Sequence, residues 1–182
     1  MNLRRPRLAC ALCVLAVLTA CSSSVTKTPA TTVGGSALAG VVDYTGLTQN
    51  HVTTPVRYPQ TPPVGGDHNP RWQNCGFYSS EIVAEKGVHS MEHGAVWITF
   101  HPDLAEGDRA AIKKLTNSTQ YVLASPFPGL PGPVVATAWG HQLVLTGVND
   151  PGLAAFVTKF ANSPASPEPG AACSKADGTP EQ

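Results

Sequence analysis

Proline and glycine recur so densely between residues 40 and 87 that neither a long helix nor a central strand can run through the stretch. Tyr58-Pro59, Thr61-Pro62-Pro63-Val64-Gly65-Gly66 and Asn69-Pro70 remove backbone donors at proline and loosen the backbone at glycine. So long an irregular stretch is uncommon in a compact domain unless it is functional, disordered or pinned by cross-links. Trp72, Cys75, Phe77 and Tyr78 give it side chains to bury. The stretch therefore reads as an ordered, histidine-containing loop region.

From Ala95 onward the patterns become conventional. Ala95 to Phe100 is β-branched and aromatic, a buried strand by composition and length. Asp103 to Leu115 reads as a helix with Leu104, Ala111, Ile112 and Leu115 on one face, Arg109, Lys113 and Lys114 on the other, and late positive charge suited to the dipole. Tyr121 to Ala124 is a second short strand. Val134 to Trp139 and Gln142 to Leu145 flank Gly140-His141 as a hairpin. Asn149 or Asp150 caps a last helix, Pro151 suits its first turn, and Leu153, Phe156, Val157 and Phe160 form its apolar stripe. The expected fold is α+β: a small mixed sheet with two helices, in the order strand, helix, strand, hairpin, helix, behind the Pro/Gly-rich loops. The first strand-helix-strand unit should be a right-handed parallel crossover.

The first 39 residues have a different character. Arg4, Arg5 and Arg7 precede an apolar run, Leu8 to Leu18, too short to cross a bilayer that needs about 20 helical residues. The run ends in Leu18-Thr19-Ala20-Cys21, which resembles the lipobox of bacterial lipoproteins. Residues 1–20 are thus expected to be a cleaved signal peptide and Cys21 the acylated first residue. Residues 21–39 read as the lipidated cysteine and a flexible tether reaching about 25 Å from the membrane. Residues 40–173 read as one globular domain, and 174–182 as a polar tail. Cleavage removes three of the twelve Lys+Arg and none of the twelve Asp+Glu. The resulting mild acidity argues against nucleic acid as a partner. The expected location is the extracytoplasmic face of the cell membrane, held by the lipid anchor, with any protein partner undefined.

Cys10 and Cys13 leave with the signal peptide and Cys21 is acylated, so the domain keeps Cys75 and Cys173. In an oxidising compartment they most simply pair, contributing about 4–5 kcal/mol in the chain-entropy model. A thiolate ligand or reactive thiol at Cys75 is the alternative.

The chemistry concentrates in the loop region and just beyond it, at His51, His68, His89 and His93. In Val88-His89-Ser90-Met91-Glu92-His93-Gly94 an extended backbone would put His89, Met91 and His93 on one face, whereas a helix would bring only the two histidines together. His68 could join them from its Gly-rich loop, with His51 and Glu92 as possible additions. Imidazole with a thioether suits copper, cuprous copper especially, and imidazole alone suits zinc as well. The bland alternative is a buried, hydrogen-bonded histidine pair with Glu92, and Met91 as core filling.

His89-x-x-Glu92-His93 also matches the inverted zincin pattern, but that motif needs a helix, and Gly87 and Gly94 bracket it. No phosphate-cradling loop, nucleophile elbow or placed carboxylate pair is found, so the reading favours binding over catalysis.

The series His51-Val52, Tyr58, Pro62 to His68, Trp72-Gln73-Asn74-Cys75-Gly76, Val88 to Val96, Ser125-Pro126 and Thr137-Ala138-Trp139-Gly140 resembles the bacterial family called domain of unknown function 3105, over about residues 40 to 173. The resemblance implies secreted or membrane-anchored relatives in actinobacteria and related bacteria, and no activity. The expectation is therefore a lipid-anchored domain that binds a transition metal such as copper. A cell-envelope partner-binding domain with a structural histidine network is the alternative, and a small metal-dependent hydrolase a third.

Overall fold

A computed structural model describes residues 26–29 and 37–182. Its centre is strand β4 (Val96–Phe100), every residue of which is buried. Side chains alternate across a strand, and here the alternation divides two cores. Val96, Ile98 and Phe100 pack with Ile112 of helix α2 (Glu106–Ser118) and with Leu153, Phe156, Val157 and Phe160 of helix α3 (Pro151–Phe160). Trp97 points into a smaller cluster with Tyr78, Val88, Met91 and Leu123.

Strand β5 (Val122–Pro126) runs parallel to β4 after the α2 crossover. Strands β6 (Val134–Ala138) and β7 (His141–Leu145) follow as an antiparallel hairpin on the other side of β4. With β1 (Thr26–Pro29), β2 (Val42–Thr45) and β3 (Gly76–Phe77), they make a seven-stranded mixed sheet in the order β1-β2-β7-β6-β4-β5-β3. The α+β class and the order from β4 to α3 follow the expectation. Asp150 caps α3 by accepting from the Gly152 amide at 2.9 Å, with Pro151 in the first turn.

Several boundaries differ. Helix α2 begins at Glu106 and runs to Ser118, so Lys113 and Lys114 fall short of its last turn, which carries no basic residue. Ala111 is exposed, and buried Thr116 completes the stripe instead. The hairpin turns at Trp139-Gly140 rather than Gly140-His141, with Gly140 at φ +74°. Thr26–Pro29, inside the expected tether, pairs antiparallel with β2, a position at the sheet edge that tolerates Pro29. The signal peptide and Cys21 lie outside the described residues. Among the described residues, no helix is long and apolar enough to cross a membrane.

The largest correction is a third helix, α1 (Ala84–Glu92), where the two glycines argued against one. Both glycines serve it. A Cβ on Gly87 would stand 2.8–3.0 Å from the Trp97 ring, so glycine allows α1 to lie directly against β4. Gly94, at φ +99°, follows the helix end: its amide donates to the Met91 carbonyl at 2.9 Å and the Ala95 amide to Ser90 at 2.9 Å. That paired closure is the Schellman stop, which requires a left-handed residue here.

The polar tail is also part of the domain. Cys75 and Cys173 are joined by a disulfide with Cα atoms 5.4 Å apart. Beyond it, Asp177 is paired with Arg71 and Lys86, Asn74 donates to the Gly178 carbonyl at 2.7 Å, and Glu181 bridges Phe77. Residues 177–181 thereby cover the free edge of β3, which would otherwise offer unpaired backbone groups.

Candidate metal centre

Two backbone elements bring the histidines together. In the loop region His51 and His68 form a parallel bridge: Val52 N donates to the His68 carbonyl at 2.7 Å and His68 N to the Asn50 carbonyl at 3.0 Å. Gly65 (φ +139°) makes the approach possible, since a Cβ there would meet Leu47 at 2.8 Å and the Trp139 ring at 3.2 Å. The Trp139 ring then packs edge-on against His68, which is fully buried. On α1 the spacing i, i+3, i+4 puts His89, Glu92 and the capping His93 on one face. Ser90 ties that helix to the loops, accepting from the Gln73 amide and donating to the Gln73 carbonyl.

One donor atom each from His51, His68, His89 and Glu92 lies within 4.8 Å of all the others. Glu92 Oε2 stands 2.9 Å from His68 Nε2, 3.4 Å from His51 Nε2 and 3.9 Å from His89 Nε2. The far side of each buried ring is tied down. His68 Nδ1 donates to the Gly66 carbonyl at 2.7 Å, His89 Nδ1 to Asn69 at 2.6 Å and His93 Nδ1 to Ala172 at 2.7 Å. A hydrogen at Nδ1 leaves the Nε2 lone pair of each neutral ring directed inward. His51, by contrast, is nearly half exposed and forms the open side of the cluster.

Charge is distributed unevenly. Burial pushes the Glu92 carboxyl up, but the hydrogen bond and charge of His68, helped by His51 and His89, hold it below the usual carboxylate range. For His68, burial favours the neutral ring, yet the bond to Glu92, the Gly66 carbonyl and the charges of Glu92 and Asp67 carry it above the ordinary imidazole value. His89 goes the other way, down to about 4, chiefly through burial and then through His93 and His68.

These directions set an expected pH profile for the metal-free domain. The raised His68 contributes stability that is complete below its unfolded value near 6.5 and is lost as pH rises through its folded one. The depressed His89 costs on the order of 3 kcal/mol as pH falls from about 6.5 to 4, because the unfolded ring takes up the proton first. Glu92 adds stability that is present above its unfolded value near 4.3 and lost as pH falls through its lower folded one. Urea denaturation between pH 4 and 9 should therefore show a maximum near pH 6.5. A profile still rising at pH 8 would contradict this assignment.

The helix corrects part of the expected donor set. Met91 points away from the histidines into the core with Val88, Trp97 and Leu123, and is fully buried there. The extended geometry that would have made it a ligand does not occur. His51 and Glu92, read only as possible additions, stand inside the four-donor group. His93 stands beside the group, its Nε2 2.9 Å from that of His89. His141 is elsewhere, bonded to Asp43 at 2.7 Å and stacked on Phe160. Sequence reasoning missed Trp72 as part of the site: its ring packs on His93 and His89, with centroids 4.7 and 5.7 Å away.

The helix that the inverted zincin pattern requires is present, so the objection from Gly87 and Gly94 fails. Its glutamate is placed differently, however. In that pattern the glutamate activates water, whereas Glu92 is itself one of the four converging donors.

Fold and site together define an α+β domain with a three-histidine, one-glutamate group able to hold a metal ion. Residues 51–175 match the family described as "Protein of unknown function (DUF3105)", and the chain belongs to that family. No curated protein and no solved structure matches the chain.

Proposed function

We propose that this domain binds a divalent first-row transition-metal ion through His51, His68, His89 and Glu92, on the outer face of the membrane to which Cys21 anchors it. The observation that carries the reading is the convergence of Nε2 atoms whose opposite nitrogens donate to backbone carbonyls. Without an ion, the cluster needs extra protons. His68 Nδ1 donates to Gly66, so a bond from Nε2 to Glu92 makes the ring an imidazolium. His89 and His93, each with Nδ1 committed, meet through two lone pairs. A cation among the four donors removes the first of these needs and takes up the His89 lone pair.

The donor chemistry narrows the ion. Imidazole with carboxylate suits zinc, iron, cobalt, nickel or cupric copper, whereas the thioether that favoured cuprous copper is absent from the group. Trp72 Nε1 is the one buried side-chain polar atom among the described residues without a hydrogen-bond partner. It belongs to the ring against His89 and His93, and a water or anion carried on a bound ion would supply its acceptor.

Native mass spectrometry of metal-stripped protein without a His tag should show one zinc or cobalt ion per domain. Met91→Leu should leave zinc and cuprous affinity in the same ratio. No bound ion would overturn the metal reading, and a selective loss of cuprous copper in Met91→Leu would restore the thioether. The anchor is tested separately: Cys21→Ser should move the protein out of the detergent phase, and unchanged partitioning would reject lipidation.

A further inference from the structure

We infer that His93 is a fifth donor to the proposed ion, so that the site is built for five- or six-coordinate metal rather than four-coordinate zinc. This rests on the metal reading above and extends it to the coordination number, which governs the choice of ion.

His89 and His93 meet at their inner nitrogens. Their Nε2 atoms are 2.9 Å apart, both side chains are about 5% exposed or less, and the rings cross at 89°. Each Nδ1 donates to a carbonyl, Asn69 for His89 and Ala172 for His93, so neither neutral ring has a hydrogen for the space between them. Two lone pairs at that distance repel unless a cation lies against both. Trp72 holds the His93 ring from one side at 4.7 Å. Ala172 precedes the disulfide-bonded Cys173, so the bridge to Cys75 fixes the carbonyl that orients the ring.

The 2.9 Å contacts fit the larger shell. With bonds of about 2.1 Å, neighbouring donors stand about 3.4 Å apart on a tetrahedral ion and about 3.0 Å apart on an octahedral one, where opposite donors are about 4.2 Å apart. Two donor pairs, His68 with Glu92 and His89 with His93, are 2.9 Å apart. Another, His89 with Glu92, is 3.9 Å apart. The His51–Glu92 separation of 3.4 Å matches a tetrahedral edge and the two 2.9 Å contacts an octahedral one, so it is the buried His89–His93 contact that calls for the larger shell. His93 stands outside the group whose atoms all lie within 4.8 Å, wider than the roughly 4.2 Å across an octahedral shell, so binding through five donors would draw the cluster inward around the ion. Five protein donors would leave one octahedral position for water or a small anion, and would favour iron(II), cobalt(II) or nickel(II).

The rival is that His93 serves Glu168 and not the ion. The Glu168 carboxylate, half exposed, lies 3.5 Å from the His93 Nε2. Proton NMR of cobalt(II)-loaded protein separates the two, because the exchangeable N–H of each cobalt-bound imidazole is strongly hyperfine-shifted. Wild type should show four such signals if His51, His68, His89 and His93 all bind. His93→Gln should lose one of them and weaken cobalt binding about 10-fold, more than it weakens zinc binding. Glu168→Gln should keep all four. Three signals in wild type, or an unchanged count in His93→Gln, overturns the fifth donor while leaving the four-donor site standing. Absence of any shifted imidazole signal overturns the metal reading itself. The wild-type count stands even if His93→Gln fails to fold.

Discussion

His68→Ala is expected to weaken zinc and cobalt binding by at least 100-fold, measured by competition with a chromophoric chelator. His68 is the donor nearest Glu92, at 2.9 Å, and is fixed from behind by the Gly66 carbonyl and the Trp139 ring. Second-layer changes around metal sites already cost about 10–100-fold, and removal of a ligand should exceed that. The metal-free protein should lose stability as well. Glu92 is 3% exposed and would keep a buried carboxylate without its closest partner, a loss of about 3–5 kcal/mol when a buried pair is broken. His141→Ala is the control, because its ring serves Asp43 and Phe160 instead. Affinity within about threefold of wild type in His68→Ala would sink the assignment.

Loss of the disulfide is the second large effect. Cys75 and Cys173 are 98 residues apart, and a closed loop of that length contributes about 4–5 kcal/mol in the chain-entropy model. For a domain of this size that corresponds to roughly 10–20 °C in Tm. Calorimetry of the Cys75→Ala, Cys173→Ala double variant, or of protein treated with a dithiol reductant, should find most of that drop. The cost is also expected at the metal. Cys75 N donates to the Cys173 carbonyl at 2.7 Å, and the neighbouring Ala172 carbonyl orients His93, so freeing the tail loosens a ring of the cluster. A Tm within about 2 °C of wild type would mean that the tail contacts of Asp177, Gly178 and Glu181 hold the segment without the bridge.

The legible parts of this chain are those where local pattern and tertiary environment agree. The run Ala95 to Phe100 reads as a buried strand, and Asn149 or Asp150 with Pro151 and an apolar stripe as the start of a core-facing helix. The two domain cysteines left few partners for each other. A histidine cluster was legible in kind, since four histidines crowd into and just after the loop region of a chain with few charges. Helix α1 was not legible, because Gly87 and Gly94 carry opposite meanings alone and in context. In isolation each disfavours helix by backbone entropy. Against Trp97 and the Schellman closure, each is the residue that lets this helix pack and stop.

Residue type and local period were enough to specify an α+β domain with a mixed sheet, a cysteine pair and imidazole-rich chemistry. Which side chains meet was decided by packing across long separations. The bridge between His51 and His68 sets two rings side by side, and the helical turn at His89 brings Glu92 to them and sends Met91 into the core. The disulfide carries Ala172 to His93. A donor set is a matter of directions within a few ångströms, and those directions come from backbone pairing, helix phase and the Trp97 and Trp139 contacts, none of which is encoded in any short run of residues.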